Sequence, residues 1–407
     1  MSAPLDGIRV LDLSRILAGP WCTQLLADLG AEVIKVERPG VGDDTRQWGP
    51  PWLRDTAGNE TAESGYYLSS NRGKQSVTVD IAQPEGRDII RRLAAVSDVF
   101  IENFKTGDLA RKGLGYDTLR AINSRLIYCS ITGFGQTGPR AQQAGYDYLV
   151  QAMGGFMSIT GHPDGEPGAG PLRAGVAIGD LSTGLYATIG ILAALHHRSV
   201  SGEGQYIDLA LLDTVVSMMA NQGQNYFVGG QVPKRTGAEH PNLAPYRTFA
   251  TREGHLVVAV GNDAQFRKLC TVLGRADLAA DPRFLTNALR VQNRRVLAAE
   301  IETQTESWGR DALIEALSAV DVPCGPINDL AQVMADPQVQ HRGLKITLPH
   351  PLSGTVAAIG NPLRFSATPA EYKRAPPRLG EHTEEVLSRL GELTPAEIAR
   401  LREQKII

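Results

Sequence analysis

The first forty residues alternate between strand and helix, and this alternation constrains the fold more than any other feature. The run "GIRVLDLS" is a largely apolar strand of the kind buried on both faces of a parallel sheet. A helical segment, "GPWCTQLLADLGA", follows it, and then a second strand, "EVIKVERPG". A β-α-β unit of this size, about 30 residues, is half of a mononucleotide-binding fold.

The alternation continues through "QSVTVDI", the helical "PEGRDIIRRLAAV", "DVFIENF" and "RLIYCSIT". It predicts an α/β fold with a Rossmann-like, doubly wound parallel sheet. From about Asn225 the pattern changes, which predicts a smaller α+β domain. We expect a large domain over residues 1–222, the small domain over 223–323, and a return to the large domain over 324–407. The stretch from Pro39 to Gly65 is predicted to be a long loop, and loops of that length in a compact domain are usually functional or cover a site.

The composition excludes several classes of function. The 407 residues are 42% hydrophobic and 21% charged, with a net charge of −3 and no basic block, so we expect no nucleic-acid partner. The N-terminus resembles no signal peptide, and the apolar segment after Asp180, of about 15 residues, is shorter than the ~20 that a membrane span needs. We therefore predict a cytoplasmic protein with a buried helix there and no membrane contact.

The cysteines and histidines predict no metal site. Four cysteines stand far apart in apolar stretches and are predicted to be reduced core residues: Cys22, Cys129, Cys270 and Cys324. His196 and His197 are adjacent, so on a helix they point to different sides, and no third ligand stands at helical spacing. A histidine in a Pro/Gly-rich loop, His240, suits either anion recognition or simple exposure.

The segment "ITGFGQTGPR" contains a literal GxGxxG, made by Gly133, Gly135 and Gly138. A dinucleotide site needs a helix to open at the last glycine, but here Pro139 follows and no helical pattern begins. The glycines are instead predicted to let the chain leave the sheet and turn toward Tyr146 and Asp147.

The place where a Rossmann protein keeps its phosphate-binding glycines also argues against an NAD site. The first strand-to-helix turn reads "SRILAGP", with Gly19 alone. At the end of the second strand, Glu37 suits a ribose hydroxyl, whereas the adjacent Arg38 better suits a phosphorylated ribose. A solvated ion pair at the strand end is the alternative.

Asp180 opens a long apolar helix, "LSTGLYATIGILAALHH". Two interpretations stand side by side. The carboxylate caps the helix N-terminus, or it is a nucleophile that forms an acyl anhydride. In the second case Gly175 and Gly179 let a bulky thioester approach closely.

Several segments together resemble the class III coenzyme A transferases (the CaiB/BaiF family), a family that includes formyl-CoA and carnitine-CoA transferases and the related α-methylacyl-CoA racemases. They occur in the family's order, and they are "LDGIRVLDLSRILAGP", "LGAEVIKVERPGVGDDTR", "ENFKTGDLARKGLGY", "SITGFGQTGP" and "GVAIGDLSTGLYATIGILAAL". The resemblance implies a homodimer of two interlocked subunits, no permanently bound cofactor, and coenzyme A or acyl-CoA as substrate.

The resemblance also implies roles for individual residues. Asp180 matches the family's acyl-accepting nucleophile. The family's CoA contacts fall on Ala18, Arg38, Val79, Asp80, Ile81, Ala82, Asn103, Phe104, Arg111, Tyr146 and Asp147. Leu17 replaces a glutamine that stabilises intermediates in one member, and the glycine-rich loop of formyl-CoA transferase is replaced by "GAEHPNLAPY". These departures disfavour formyl or oxalate specificity.

Within the family, "GDDTRQWGPP", "KRTGAEHPNLAPYRTF" and "VPCGPINDL" most resemble succinyl-CoA:glutarate CoA-transferases, with the bacterial itaconate enzymes also similar. The implied activity is transfer of CoA from succinyl-CoA to a short dicarboxylic acid, with the distal carboxylate held by residues nominated from Arg15, Arg46, Arg173 and His240. The alternatives are a 2-methylacyl-CoA racemase and a non-catalytic acyl-CoA-binding scaffold. The racemases carry "GHD" where this chain has "GYD", with Tyr146 in place of the histidine. The tyrosine side chain, with an unperturbed pKa of ~10, is a poor α-proton shuttle at neutral pH.

Overall fold

The predicted β-α-β alternation is present in the computed structural model, which describes residues 3–407. It begins with β1 (Arg9–Asp12), α1 (Ala18–Asp28) and β2 (Glu32–Glu37). The further strands are β3 (Trp52–Arg54), β4 (Glu60–Ser64), β5 (Lys74–Thr78), β6 (Val99–Glu102), β7 (Ile127–Thr132), β8 (Gly161–His162), β9 (Gly170–Pro171), β10 (Tyr206–Ala210), β11 (Tyr246–Thr251), β12 (Gly254–Ala259), β13 (Cys324–Pro326), β14 (Lys345–His350) and β15 (Gly354–Ile359). The further helices are α2 (Gly65–Leu68), α3 (Pro84–Ala95), α4 (Asp108–Arg111), α5 (Tyr116–Ile122), α6 (Asp147–Met153), α7 (Phe156–Ile159), α8 (Ile178–Ser201), α9 (Leu211–Ser217), α10 (Ala220–Gly229), α11 (Asp263–Val272), α12 (Ala276–Ala280), α13 (Asn287–Gln292), α14 (Arg294–Thr305), α15 (Arg310–Ser318), α16 (Leu330–Ala335), α17 (Pro337–His341), α18 (Thr383–Arg389) and α19 (Pro395–Glu403).

Six of these strands form one parallel sheet in the order β10-β7-β6-β1-β2-β5. Val10 of β1 lies opposite Val33 of β2 on one side and Val99 of β6 on the other. Counted from the β5 edge, the six strands stand in the chain order third, second, first, fourth, fifth and sixth, which is the order of the dinucleotide-binding fold. The predicted doubly wound parallel sheet is therefore confirmed.

Helices cover both faces of the sheet because alternate strand residues point to opposite sides. On one face, Leu11 and Ile34 belong to an apolar core shared with α3, α18 and α19. On the other face, Val10 and Val33 pack in a core shared with α1 and α8. The strands are therefore buried on both sides, as their continuous apolar runs predict.

The chain divides into two units. The larger comprises the described residues through Phe156, with Ala174–Asn221 and Gln338–Ile407. The smaller comprises Met157–Arg173 and Gln222–Pro337. The smaller unit holds a three-stranded antiparallel sheet, β11-β12-β13, against which α11, α14 and α15 pack around Phe249, Leu256 and Phe266.

Two boundaries differ from the prediction. The return to the larger unit comes at Gln338 and not at residue 324, because Cys324–Pro326 pairs antiparallel with β12 and completes the small sheet. A three-residue strand is too short to reveal its partner through any sequence pattern. Residues 157–173 also belong to the smaller unit, where Gly237 donates its N–H to Gly161 O at 3.0 Å.

Two predicted segments contain more structure than the sequence patterns indicate. The predicted long loop from Pro39 to Gly65 contains a short 3₁₀ helix, Asp44–Gln47, and the hairpin of β3 with β4. The predicted buried helix after Asp180 is α8, which is 24 residues long and only partly buried. By length and composition α8 is apolar enough to cross a membrane, with a mean hydropathy of 1.4 over its most apolar stretch, 44% of which is buried.

The glycine-rich loop is not a phosphate-binding turn. No helix opens at Gly138, and the next helix, α6, begins at Asp147. Gly133 instead packs directly on the backbone of Gly145, where a Cβ on Gly133 would lie 2.4 Å from the Gly145 Cα. This contact joins the end of β7 to the segment that carries Tyr146 and Asp147.

Candidate active site

The order of the strands locates the site. The chain moves from β1 toward β2 and β5 in one direction and toward β6 in the other, so β1 and β6 flank the switch point of the sheet. In such sheets, ligands bind beyond the carboxyl ends of the strands at this point. The segments that follow β1 and β6 carry Arg15–Ala18 and Asn103–Thr106.

A cavity of about 490 Å³ lies there, within the larger unit. It contains Asp180 from the first turn of α8. The other lining side chains and backbone groups used below come from Arg15, Ile16, Leu17, Ala18, Asp44, Trp48, Asn103, Phe104, Lys105, Gly145, Tyr146 and Asp147. Residues separated by more than 160 positions therefore meet in one place.

The turn after β1 is held in a strained conformation. Ile16 has φ +73°, which is unfavourable for a β-branched residue. Asp43 accepts its N–H at 3.2 Å, and the side chain of Asn103 bonds both the N–H (2.9 Å) and the carbonyl (2.7 Å) of Arg15. Strain of this kind persists only where surrounding groups enforce it, and it concentrates at functional sites.

Asp180 does not cap its helix. The N-cap of α8 is Ala177, and Asp180 is the third helical residue, so the interpretation of Asp180 as the cap is wrong. Burial raises the pKa of Asp180 to about 7, and the neighbouring Asp147 carboxylate acts in the same direction. Such a pKa is typical of a functional carboxylate poised between its two protonation states near neutral pH.

Asp147 supplies the missing cap from another helix. Its carboxylate accepts the N–H of Gly179 at 2.8 Å and that of Asp180 at 3.3 Å. The side-chain amide of Gln151 donates to its other oxygen at 2.6 Å, and Gln151 Oε1 accepts the N–H of Ala174 at 3.0 Å. Asp147, predicted as a CoA contact, thus bonds to the backbone that carries Asp180.

A second cavity, of about 540 Å³, adjoins the first, since Arg15, Asp44 and Phe104 line both. It lies beyond the carboxyl ends of β2 and β5 and contains, besides Phe104, five of the predicted CoA contacts: Arg38, Val79, Asp80, Ile81 and Ala82. Lys112 adds a further cation to its wall. Arg111 is not among the lining residues, but it pairs with Asp108, which is.

The four nominated carboxylate-binding residues have different locations. Arg15 lines the Asp180 cavity, lies 2.9 Å from Asp44, and stacks with its guanidinium carbon 5.5 Å from the Phe104 ring centre. Arg173 and His240 belong to the smaller unit, where the His240 ring lies 5.1 Å from that of Tyr246.

Arg46 is the nomination that the structure contradicts. Its guanidinium is 6% exposed and bonds Glu37 at 2.8 Å, Glu63 at 3.1 Å and the Pro377 carbonyl at 3.0 Å. With its donors used inside the protein, it has no free face for a substrate. Glu37 is buried in this ion pair, so its interpretations as a ribose-binding group and as part of a solvated ion pair are both wrong.

Four residues of the site were not predicted. Lys105 and Trp48 line the cavity, and Trp48 makes an edge contact with Tyr66 at 5.0 Å. Burial and then Asp180 raise the pKa of Tyr66 to about 12, which places its phenol near that carboxylate. Gln151 was detectable, because a helix brings it, four residues after Asp147, onto the same face. For the others no local pattern exists.

The model of CoA-transferase family III matches residues 5–383, which is most of the chain. The chain belongs to that family. The predicted relationship is thereby confirmed, and this protein is a CoA-transferase enzyme. All of the site residues discussed above lie within the matched range.

Relatives of the transferase agree with this assignment. It is 50% identical to the succinate–glutarate CoA-transferase of Agrobacterium fabrum, over 95% of this chain and 96% of that one. It is 44% identical to the human succinyl-CoA:glutarate CoA-transferase, over 94% and 85% of the two chains. A crystal structure of a CaiB/BaiF family protein from Brucella suis matches with a TM-score of 0.85 and 49% identity, covering 96% of this chain and 100% of that one.

Proposed function

We propose that the transferase moves coenzyme A from succinyl-CoA to a short dicarboxylic acid such as glutarate or itaconate, with Asp180 as the nucleophile. The observation that carries this proposal is the location of Asp180 in the switch-point cavity, with a pKa of about 7. The relatives named for succinyl-CoA and glutarate support the choice of donor and acceptor class.

The reaction proceeds through two anhydrides. An Asp180 oxygen attacks the thioester carbonyl of succinyl-CoA, the C–S bond breaks, and the electron pair leaves with sulfur as CoA thiolate. The thiolate then attacks the aspartyl carbonyl of the mixed anhydride, the C–O bond breaks, and succinate departs. The acceptor carboxylate attacks the resulting aspartyl-CoA thioester and expels the thiolate. Finally, the thiolate attacks the acceptor's acyl carbon, which gives the new CoA thioester and regenerates the Asp180 carboxylate with no net gain or loss of protons.

The second cavity receives the nucleotide end of CoA, where Arg38 and Lys112 supply positive charge for the phosphates. From there the pantetheine arm reaches Asp180 past Phe104, which lines both cavities. Binding energy at the nucleotide holds the thiolate in place while the acyl groups exchange.

The oxyanions are stabilised by the backbone N–H groups at the start of α1. Leu17 offers no side-chain donor, and no side chain caps α1, which begins at Ala18 in the cavity wall. The first N–H groups of a helix lack intrahelical acceptors, so they are available to a developing negative charge.

The distal carboxylate of the acceptor is bound by Arg15, which carries a planar bidentate donor set at the wall of the Asp180 cavity. In the free enzyme, Asp44 occupies this guanidinium through an exposed ion pair. Exposed pairs are weak, so a substrate carboxylate can take the place of Asp44 at little cost. Arg173 and His240 stay as further nominations from the smaller unit.

We also propose that the enzyme is a cytoplasmic homodimer of interlocked subunits. One face of α8 packs on the sheet through Ala187 and Ile191, whereas the opposite face exposes an apolar stripe made by Leu185, Tyr186, Ile189 and Leu192. An exposed stripe of this kind on a folded protein marks an interaction surface. A second copy of the chain is the occupant that the family resemblance implies, in place of lipid.

The central test is Asp180→Ala. We expect loss of succinyl-CoA:glutarate transfer by at least about 10⁴-fold with free CoA still bound, because only the nucleophile is removed. Substantial residual transfer would contradict the mechanism. Asp117→Asn, a carboxylate change at an exposed position on α5, is the control and should leave transfer unchanged.

Two further measurements separate the alternatives. Mass spectrometry of the enzyme quenched with succinyl-CoA should detect an acyl or CoA adduct on Asp180, and a non-catalytic scaffold would carry none. Incubation of a 2-methylacyl-CoA in heavy water should give no deuterium at the α-carbon, whereas a racemase would incorporate it. A panel of acceptors, including glutarate, itaconate, mesaconate and malate, then identifies the preferred acid.

A further inference from the structure

The start of α8 is tied to α6 by one carboxylate. The first N–H groups of a helix need acceptors, and Ala177, the N-cap of α8, has no side chain that supplies one. Asp147, at the first residue of α6, accepts from Gly179 and Asp180 instead. The backbone of the nucleophile is thus fixed by a group more than thirty residues earlier in the chain.

The close approach of Asp147 requires glycine on the other side. A Cβ on Gly179 would lie 2.9 Å from Asp147 Oδ1, too near for an ordinary contact. Asp147 lies two residues after Gly145, and Gly145 packs on the backbone of Gly133 just beyond the end of β7. This contact fixes the position of the backbone that carries the Asp147 carboxylate. The contact between Asp147 and the start of α8 therefore depends on small residues on both the α6 side and the α8 side.

The same carboxylate has little capacity left for coenzyme A. Oδ1 accepts two backbone N–H groups and Oδ2 accepts the amide of Gln151. A carboxylate repels the phosphates and the thiolate of CoA, and when ionised it has no hydrogen-bond donor to offer them. Its contacts are therefore better explained by an action on Asp180 than by the CoA contact that the resemblance implies.

We propose that Asp147 is a positioning residue of the transfer reaction: it fixes the first turn of α8 and, through its negative charge, increases the basicity and nucleophilicity of Asp180. This inference rests on the proposed role of Asp180 as the nucleophile.

The effect of Asp147 on the Asp180 charge depends on the titratable and charged groups around Asp180. Burial and the Asp147 charge both favour its protonated form. Burial and then the charges of Asp180, Asp147 and Asp43 raise the pKa of Tyr66 from its ordinary value of 10 to about 12, so its phenol is neutral near pH 7 and adds no charge beside Asp180. The charged groups elsewhere on the cavity wall are Arg15, Asp44 and Lys105, and Arg15 is paired with Asp44.

The kinetic test is the pH dependence of transfer by Asp147→Asn. This variant keeps a carbonyl oxygen for the Gly179 N–H but removes the charge. We expect the acid limb of the kcat/KM profile to shift to lower pH by about one unit or more, because a full charge on a neighbouring residue acts strongly on a partly buried group. Above pH 8, where wild-type Asp180 is ionised, kcat should fall several-fold because the less basic carboxylate is the weaker nucleophile.

These two effects together would be absent if Asp147 were only structural. A uniform loss of activity with the acid limb unmoved would overturn the proposal. Asp147→Ala, which also removes the acceptor, should lose further kcat, and Asp117→Asn should show the wild-type profile.

A second measurement needs no catalysis. A carboxyl group whose pKa is higher in the folded state destabilises the fold as the pH rises from its ordinary value, 3.8, to about 7. Asp180→Asn should therefore unfold at a higher temperature than wild type at pH 8 and at nearly the same temperature at pH 4. In the Asp147→Asn background, this advantage at pH 8 should shrink. An undiminished advantage would overturn the inference, whereas failure of CoA transfer from succinyl-CoA alone would count against the proposed function and leave this result standing.

Discussion

Lys35 Nζ lies 2.9 Å from Asp43 Oδ2, and both side chains are fully buried. The same ammonium group donates to the Ser14 carbonyl at 3.0 Å. Although burial works in the other direction, Lys35 and the hydrogen bonds from Thr45 lower the pKa of Asp43 to about 2. Asp43 in turn accepts the N–H of Ile16, so this buried pair enforces the strained turn that lines the Asp180 cavity.

Lys35→Met should therefore be severely destabilising. It leaves Asp43 buried without its cation, which typically costs about 3–5 kcal/mol of unfolding free energy. Urea unfolding followed by circular dichroism measures the loss. The control is Lys373→Met, which removes an exposed pair with Glu371 and should cost about 1 kcal/mol or less. Equal effects of the two substitutions would contradict the role given to the buried pair.

Arg15→Ala should raise the KM for glutarate by about 10- to 100-fold, the value of a lost charge-assisted bond. The inhibition constant of free CoA should stay unchanged, and so should turnover of any monocarboxylate acceptor, which has no distal charge. A loss of CoA affinity instead would mean that Arg15 binds a phosphate. Arg54→Ala, at an exposed arginine paired with Glu60, serves as the control.

Glu102→Gln should stabilise the protein at pH 8. Burial raises the pKa of Glu102 to about 7 in the folded state, against an ordinary value of 4.5, even though Ser130 and the Phe104 N–H bond to it. Because the folded pKa is the higher one, ionisation destabilises the fold as the pH rises between these values. The gain should be on the order of 2–3 kcal/mol at pH 8 and near zero at pH 4. Unfolding curves at the two pH values measure it, and a gain of equal size at both would refute the assignment.

Gly133→Ala should displace the segment that carries Asp147, because the new Cβ meets the Gly145 backbone at 2.4 Å. Backbone cannot rotate away as a side chain does, so we expect about 1–3 kcal/mol of destabilisation together with reduced kcat. Gly229→Ala is the matched control, since a Cβ there meets nothing within 4 Å. Thermal unfolding and transfer assays of both variants test the contact.

Ile189→Asp should prevent assembly of the proposed homodimer, because it places a charge in the middle of the exposed apolar stripe on α8. Size-exclusion chromatography with light scattering should detect a dimer of wild type and a smaller species of the variant. Ile122→Asp introduces the same charge at an exposed residue of α5 and should leave the mass unchanged. A wild-type monomer would contradict the proposal.

Local patterns were sufficient to predict the parallel α/β fold, since the apolar runs of β1, β2, β6 and β7 reflect burial on both faces of the sheet. The sequence around Asp180 likewise points to the CoA-transferase family, because the segment "GVAIGDLSTGLYATIGILAAL" resembles that family on its own residues. Strand periodicity and motif order are properties of neighbouring residues, so the sequence alone contains them.

Only the tertiary structure decided which charges act on one another. It directs Arg46 into a buried pair with Glu37, brings Asp147 to the start of α8, and assigns Cys324–Pro326 to the small sheet. Each of these contacts joins residues that are distant in the sequence or lie in elements too short to show a period. A carboxylate's pKa depends on burial and on the charges nearest in space, and therefore the poised state of Asp180 is a property of the folded chain and not of its local sequence.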